Sequence, residues 1–236
     1  MKKKSRILIY PLIIMGVLLM LTISCKKDED VVNDDDNNNE TVTDIDGNVY
    51  HTVTIGTQVW MVENLKVTKY RNGDVIPNVT DNTQWGNLTT GAYCNYDNST
   101  TNANIYERLY NWYAINDSRN IAPIGWHVPD DTELSTLTTY LGGLSGAGGK
   151  LKETGAAHWN SPNTGAIDQF GFKALPGASR NSKGTFNNTG LNGFWWSVTE
   201  LGTYTAWSRS MYYDNADIKR YSIDKKEGLS VCCIKD

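Results

Sequence analysis

Cysteine and histidine offer the widest chemistry in this chain of 236 residues, and they are few. Beyond the N-terminal segment they are Cys94, Cys232, Cys233, His51, His127 and His158. Zinc sites need thiolates and imidazoles at short, regular intervals, and these residues are not spaced in that way. Each histidine stands among aromatic or polar neighbours. We therefore predict structural hydrogen bonds for the histidines and no metal site.

The sequence shows no motif for catalysis. It has no nucleophile–base pair and no cluster of His, Asp and Glu at metal-ligand spacing. The segment Gly146-Ala147-Gly148-Gly149-Lys150 lacks the spacing of a phosphate-binding P-loop and does not follow an apolar strand. We interpret it as a flexible turn. We expect a domain that is not an enzyme and that needs no cofactor.

Aromatic and amide side chains favour a binding function instead. A sugar-binding surface needs aromatic faces for stacking and polar groups for directional hydrogen bonds. The candidate ligand-binding residues, all in loop-like segments, are Trp85, Trp159, Asn160, Asn181, Asn187 and Asn192. The tryptophans expected in the core instead are Trp112, Trp126, Trp195 and Trp196.

A calcium-dependent lectin is one variant of this hypothesis. Such lectins use Glu-Pro-Asn or Gln-Pro-Asp together with Trp-Asn-Asp. This chain has only the partial matches Ser161-Pro162-Asn163 and Ile115-Asn116-Asp117. Short polar triplets are common in a chain rich in asparagine, so calcium is a minor alternative.

The N-terminus resembles the signal of a bacterial lipoprotein. A basic start precedes an apolar run over 7–23 that contains Pro11. The run ends in Leu21-Thr22-Ile23-Ser24-Cys25, which resembles a lipobox except that Thr22 replaces the usual aliphatic residue. We predict a signal peptide over 1–24 and a lipid on Cys25 that anchors the protein to a membrane. A retained N-terminal anchor is the alternative, and it needs about 20 apolar residues.

An acidic segment follows Cys25. It is almost free of apolar side chains, so it cannot bury enough surface to offset its ordering entropy. We predict a disordered tether over 25–43. Acidic residues directly after the lipidated cysteine resemble the export signal of surface lipoproteins in the Bacteroidetes group. This resemblance implies an outer-membrane protein that is exposed at the cell surface.

Residues 44–236 suit a single domain. The chain has a net charge of −4 and no basic patch, so we do not expect a nucleic-acid partner. Period-two alternation predicts a hairpin from strands at 49–55 and 58–62. Helical spacing indicates helices over 105–115 and 130–141, the second of which starts at Pro129-Asp130 and is closed by Gly142-Gly143. Further strands are predicted at 194–199, 205–213, 218–223 and 229–234, and mostly loops at 66–104. Two helices with short antiparallel strands indicate an α+β fold.

Several phrases of the sequence resemble one family. They are 44–50 (DIDGNVY), 55–65 (IGTQVWMVENL), 108–114 (RLYNWYA), 125–130 (GWHVPD), 171–172 (GF), 174–177 (ALPG), 184–186 (GTF), 195–197 (WWS) and 230–236 (SVCCIKD). Together they resemble the Fibrobacter succinogenes major paralogous domain, a family of exported and often lipidated bacterial proteins, over residues 44–236. The family implies no established activity. Residues 126–133 and 197–233 also resemble formylglycine-generating, sulfatase-modifying domains, which implies a C-type-lectin-like fold.

The resemblance also bears on the cysteines. The family tail usually reads Ser-Val-Arg-Cys, so that Cys232 replaces the arginine and Cys233 matches the family cysteine. A disulfide between Cys94 and Cys233, with Cys232 free, is therefore implied. Adjacent residues of a strand point to opposite sides, which disfavours a bond between Cys232 and Cys233 and a metal ion shared by the two thiols.

Three classes of function stay open. The favoured one is a non-catalytic extracytoplasmic domain that binds a glycan or a surface protein. The second is an enzyme that resembles formylglycine-generating domains, whose chemistry needs a pair of active cysteines near the C-terminus. The third is a purely structural or adhesive surface protein.

Overall fold

The computed structural model describes residues 40–187 and 189–236. The predicted signal peptide, Cys25 and most of the predicted tether lie outside the described residues. Residues 40–236 belong to one compact unit. The prediction that the tether extends to residue 43 is wrong, because Thr41–Thr43 form a strand that pairs with Val49–Ile55.

The described chain alternates short helices with antiparallel strands. The strands are β1 (Thr41–Thr43), β2 (Val49–Ile55), β3 (Gln58–Met61), β4 (Tyr93–Asn95), β5 (Arg108–Tyr110), β6 (Trp126–His127), β7 (Asn192–Glu200), β8 (Thr205–Tyr212), β9 (Lys219–Asp224) and β10 (Ile234–Lys235). The helices are α1 (Asn82–Gly86), α2 (Thr100–Tyr106), α3 (Trp112–Ile115), α4 (Asp131–Tyr140) and α5 (Leu144–Leu151). A 3₁₀ turn spans Tyr96–Asn98.

The strands form three sheets. The largest has the order β1-β2-β3-β10-β6, the second pairs β4 with β5, and the third has the order β7-β8-β9. All strand pairs are antiparallel. The predicted α+β class is confirmed, but the described residues contain more helices than the two that we expected.

The strands predicted from alternation are found with small changes in their ends. β2 and β3 form the expected hairpin, with Thr52 opposite Met61. The three strands predicted between 194 and 223 correspond to β7, β8 and β9. The strand predicted over 229–234 is confirmed only in part. Leu229 and Ser230 make isolated bridges, and the regular strand is confined to Ile234–Lys235.

The helix predicted at 130–141 is confirmed as α4, and its start is fixed by a reciprocal cap. The backbone N–H of Glu133 donates to Oδ1 of Asp130 at 2.7 Å, and the N–H of Asp130 donates to Oε2 of Glu133 at 2.8 Å. This capping box satisfies two N–H groups that have no partner inside the helix. Leu134 and Leu137 then face the core.

The helix predicted over 105–115 is wrong. α2 ends at Tyr106, and Glu107 takes a φ of 66°, a left-handed value that a helix cannot continue through. Arg108–Tyr110 then pair with β4. A separate short helix starts after Asn111, whose Oδ1 accepts the N–H of Ala114 at 3.1 Å. The apolar residues here are buried on several sides, so their spacing does not report one helical face.

Ala147 to Lys150 of the glycine-rich segment are helical within α5, whereas Gly146 has a non-helical φ of 80° at a kink, so the predicted flexible turn is wrong for all but Gly146. Its glycines allow a close backbone approach. A Cβ on Gly149 would lie 2.2 Å from the carbonyl oxygen of Gly165, and one on Gly148 would lie 2.6 Å from that of Asp217. Lys150 Nζ donates to the carbonyl oxygen of Leu141 at 2.9 Å. Packing therefore accounts for the composition that resembled a phosphate loop.

Two apolar clusters form the interior. The main core includes Trp112, Trp126, Trp195 and Trp196, as predicted. A smaller core gathers Trp85, Cys94 and Leu109 beside the β4–β5 pair. Among the described residues, no helix has the length and apolar character needed to cross a bilayer.

Candidate functional site

The two tryptophans predicted to bind ligand are buried. Trp85 has an exposed fraction of 0% and Trp159 of 1%. The Arg180 guanidinium lies 4.5 Å from the Trp85 ring centroid, and Trp159 Nε1 donates to the Ala174 carbonyl oxygen at 2.9 Å. A ring that is packed on both faces cannot stack on a sugar. The assignment of Trp85 and Trp159 as ligand platforms is therefore wrong.

The four candidate asparagines do not surround an exposed ring. Asn181 Oδ1 accepts the N–H groups of Lys183 and Thr185 and so closes a local turn. Asn187 Nδ2 donates to Ser179 Oγ at 2.6 Å. Asn192 begins β7 and is half-buried, whereas Asn160 is exposed, with its backbone N–H on the Gly190 carbonyl oxygen. A ligand role for these amides stays a prediction.

The cysteines are all free and buried in the described part of the chain. Cys94 lies in the smaller core, whereas Cys232 and Cys233 lie in the main core. The predicted disulfide between Cys94 and Cys233 is therefore wrong. Burial raises the pKa of Cys94 to about 12 and that of Cys232 and Cys233 well above the usual range. These thiols are poor nucleophiles and poor metal ligands.

Each histidine pairs with a carboxylate. Nδ1 of His51 lies 2.7 Å from Oε1 of Glu63, and Nδ1 of His158 lies 2.8 Å from Oε2 of Glu153. His127 lies between two carboxylates, those of Glu133 and Asp236. In the described ranges, no three side chains of His, Cys, Asp or Glu converge as a metal ion would require.

The two lectin-like triplets are engaged in local contacts. Asn163 is buried, and its Nδ2 donates to the carbonyl oxygens of Glu153 and Gly155 at 2.8 and 2.7 Å. Asp117 forms an ion pair with Arg119 at 2.8 Å. Neither triplet presents a free set of oxygen ligands.

Among the described residues, the most exposed aromatic side chain is instead Tyr204, in the turn between β7 and β8. It is 75% exposed, and Leu201 in the same turn is 52% exposed. The backbone beneath them is held firmly. The N–H of Leu201 donates to the Thr205 carbonyl oxygen at 3.0 Å, and the Tyr204 carbonyl oxygen accepts the N–H of Lys225 at 2.9 Å.

The side chain of Lys225 ties this turn to the domain from below. Its Nζ donates to Oε2 of Glu200 at 2.6 Å and to the Thr203 carbonyl oxygen at 3.1 Å. The same ammonium lies 4.3 Å from the centroid of the Trp112 ring. Since the side chain of Lys225 is only 5% exposed, it is a buried support of the turn and not a surface charge.

Two further residues lie beside the turn. Tyr113, from α3, is half-buried, and Asp224 ends β9. Burial raises the pKa of the Tyr113 hydroxyl, and the nearby Asp224 and Tyr204 raise it further. We call Tyr113, Glu200, Leu201, Tyr204 and Asp224 the hairpin-tip site. It combines aromatic and apolar faces with carboxylate acceptors and contains no nucleophile–base pair.

A carboxyl group next to this site titrates near neutrality. Glu227 is half-buried, and its backbone N–H donates to the Asp224 carbonyl oxygen at 2.9 Å. Burial, with a smaller effect from Asp224, raises the pKa of Glu227 to about 7. At neutral pH the group is therefore divided between its charged and neutral forms.

A sequence model of the Fibrobacter succinogenes major domain matches residues 53–235. The chain belongs to the Fibrobacter succinogenes major domain family. No curated protein and no solved structure matches it. The resemblance stated from the sequence phrases is thus confirmed over nearly all of the described unit.

In this Fibrobacter succinogenes major domain, the phrases that carry the resemblance mostly build the interior. Trp60 of the hairpin phrase, Trp126 of GWHVPD and Trp196 of WWS are all buried in the main core. The exposed Leu201 and Tyr204 fall between these phrases. The phrases therefore describe the fold of the domain, whereas its most exposed aromatic turn is outside them.

A small cavity lies in the main core of the described residues. This cavity of about 30 Å³ is lined mainly by apolar side chains, among them Trp60, Phe172 and Met211. This volume is close to that of one water molecule in the liquid. A ligand of sugar size does not fit this cavity of the Fibrobacter succinogenes major domain.

The sequence contains one signal for the hairpin tip. Leu201 and Tyr204 stand between two correctly predicted strands, in a turn of only a few residues. Turns are mostly polar. Two large apolar residues in one turn are therefore unusual, and the local sequence does not explain them by packing.

Proposed function

We propose that this protein is a lipid-anchored, non-catalytic binding domain of the outer membrane that contacts a glycan or a surface protein through the hairpin-tip site. The observation that carries the proposal is Tyr204, which is 75% exposed on a turn that backbone and lysine contacts hold in place.

A fixed, exposed tyrosine is well suited to binding. Its ring supplies a large contact area, and only two side-chain torsions lose freedom on contact. Because Lys225 already holds the backbone of the turn, little further order is needed when a ligand arrives. The aliphatic Leu201 beside it extends the apolar surface.

The carboxylates around the rings favour some ligands over others. Asp224, and the Glu200 oxygen that does not bond to Lys225, can accept hydrogen bonds from sugar hydroxyls or from basic side chains. The site thus suits a neutral glycan or a basic protein surface.

The other parts of the proposal rest on the sequence. The basic and apolar start that ends at Ser24-Cys25 supports lipidation of Cys25, and the acidic residues after it support display at the cell surface. The α+β architecture is compatible with a C-type-lectin-like fold, which we propose as the finer assignment.

The enzyme alternative has no supporting observation among the described residues. Formylglycine-generating chemistry needs a reactive cysteine pair, and here burial raises the pKa of both late thiols. We therefore retain binding as the proposed function and treat a purely structural role as an outcome of the test.

The test compares two exposed tyrosines. A glycan array and a panel of envelope proteins are probed with residues 40–236, with calcium and with chelator, to select a ligand. Y204A should then weaken binding about tenfold or more, as expected for an aromatic anchor. The matched control is Y140A, since Tyr140 is also exposed (57%) but lies at the end of α4.

Circular dichroism and thermal unfolding should show that both variants keep the fold, since neither side chain is in the core. Equal affinity of Y204A and the parent domain for every selected ligand would exclude the hairpin tip as the contact. If neither library yields a ligand, a structural role gains support and the binding proposal fails.

A further inference from the structure

Strand β9 forms a free edge of the third sheet. The order of this sheet is β7-β8-β9, and no described strand pairs with the outer side of β9. Arg220, Tyr221 and Ser222 at its centre are exposed. An exposed sheet edge is a template for pairing with another strand unless side chains protect it.

The register with β8 shows which backbone groups point outward. The N–H of Lys225 donates to the Tyr204 carbonyl oxygen, and the pairing of Ser208 with Tyr221 continues this ladder. Because alternate residues of an antiparallel strand bond to opposite sides, Tyr221 and Ile223 bond to β8. Arg220, Ser222 and Asp224 therefore direct their backbone groups away from the sheet.

The charges of β9 do not protect this edge. The Arg220 guanidinium lies 3.2 Å from the centroid of the Trp207 ring on β8 and bonds to Asp131 of α4 at 2.9 and 2.7 Å. Lys219 Nζ lies 5.0 Å from the centroid of the Tyr212 ring, also on β8. Both basic side chains thus fold back across the sheet, and the outward backbone around Ser222 is left open.

We propose that the β9 edge pairs with the same edge of a second copy of this chain across a two-fold axis. Antiparallel pairing with Ser222 opposite Ser222 of the partner uses the outward groups of Arg220 and Ser222 and the N–H of Asp224, whose carbonyl oxygen already accepts the N–H of Glu227. In this register Arg220 lies opposite Asp224 of the partner on both sides of the axis. Nε and Nη2 of Arg220 stay on Asp131, and its Nη1 is the part of the guanidinium that can reach the partner's carboxylate. A shift of the register by two residues leaves an outward residue of each strand without a partner.

The side chains between these positions also match. Tyr221 falls opposite Ile223 of the partner. The two-fold axis repeats this pair, so that an exposed aromatic ring lies against a half-buried aliphatic side chain on each side of the axis. A contact made by one short strand is smaller than a standard interface of about 1,600 Å². The dimer is therefore reversible, and its population rises with concentration.

Cysteine cross-linking tests the register directly. In a hydrogen-bonded antiparallel pair the two Cα atoms are about 5.5 Å apart, within the span of a disulfide. S222C in residues 40–236 should therefore form a disulfide-linked dimer under mild oxidation. S118C, at another exposed serine, measures cross-linking by random collision. The native cysteines of this fragment are buried and add no background.

Sedimentation of the uncross-linked protein provides a second measurement. The parent domain should show a concentration-dependent dimer, and S222P should remain a monomer. Proline removes an outward N–H at this position and no bond to β8, so the fold is kept. If S222C cross-links no faster than S118C, or if S222P dimerises like the parent, the proposal is wrong.

Discussion

At the scale of single residues, the most unusual group is the buried side chain of Lys152. It has an exposed fraction of 0%, and its Nζ donates to the carbonyl oxygens of Thr164, Tyr212 and Asn215 at 3.0, 2.9 and 2.9 Å. Burial lowers the pKa of Lys152 to about 8, against an opposing effect of Asp214. At pH 7 the ammonium is therefore mainly charged, and it joins Thr164 to the backbone that follows from the end of β8.

Replacing this lysine should be costly. In K152M a side chain of similar length remains, but three carbonyl oxygens lose their donor. We expect a loss of about 2–4 kcal/mol in the free energy of unfolding, because each unsatisfied buried acceptor is unfavourable. Urea unfolding measures this loss. The control is K183M at an exposed lysine, which should stay within about 0.5 kcal/mol of the parent. Equal stability of the two variants would show that the carbonyl groups are satisfied in another way.

At the scale of elements, His127 connects three segments that are distant in the sequence. It lies in β6, its Nε2 is 2.8 Å from Oε1 of Glu133 in α4, and its Nδ1 is 2.6 Å from Oδ1 of Asp236 after β10. Partial burial opposes the charge of the ring, but the hydrogen bonds to Asp236 and Glu133 outweigh it and raise the pKa of His127.

This arrangement predicts a pH-dependent contribution to stability. A group with a raised pKa in the folded state stabilises it fully below the pKa of the unfolded chain, and the effect is lost as the pH rises through the folded pKa. The parent should therefore exceed H127Q in free energy of unfolding most at about pH 5.5, and the difference should shrink by about pH 8.5. Denaturant unfolding at several pH values measures it. A difference that grows with pH would contradict the ion pairs.

At the scale of the whole molecule, the proposed lipid anchor makes a prediction about where the protein is found in the cell. The N-terminal sequence predicts that a lipid on Cys25 is the anchor. C25S should therefore leave the membrane fraction or accumulate with its signal peptide attached, because acyl chains provide the membrane affinity. Cell fractionation and mass spectrometry of the mature N-terminus measure this. The matched control is C94S, which removes a buried thiol and should leave fractionation unchanged. Normal processing and membrane retention of C25S would favour a retained apolar anchor instead.

The sequence alone determined the features that depend on neighbours in the chain. Alternating apolar residues identified β2 and its hairpin partner β3, short segments between turns identified β7 to β9, and Pro129-Asp130 marked the start of α4. The signals are local: a strand exposes alternate faces, and a helix start needs a cap. The family phrases added the membership that the sequence model confirmed over residues 53–235.

Only the tertiary structure decided which side chains are available to a ligand. Trp85 stands in a polar segment, yet Arg180, remote in the sequence, covers its ring, whereas Tyr204 in a comparable segment is left exposed. The same holds for Cys94 and Cys233, which pack in different cores and so do not pair. The burial of a residue depends on which other segments of the chain pack around it. Contacts between distant segments do not produce a periodic pattern in the local sequence, so the sequence does not reveal them.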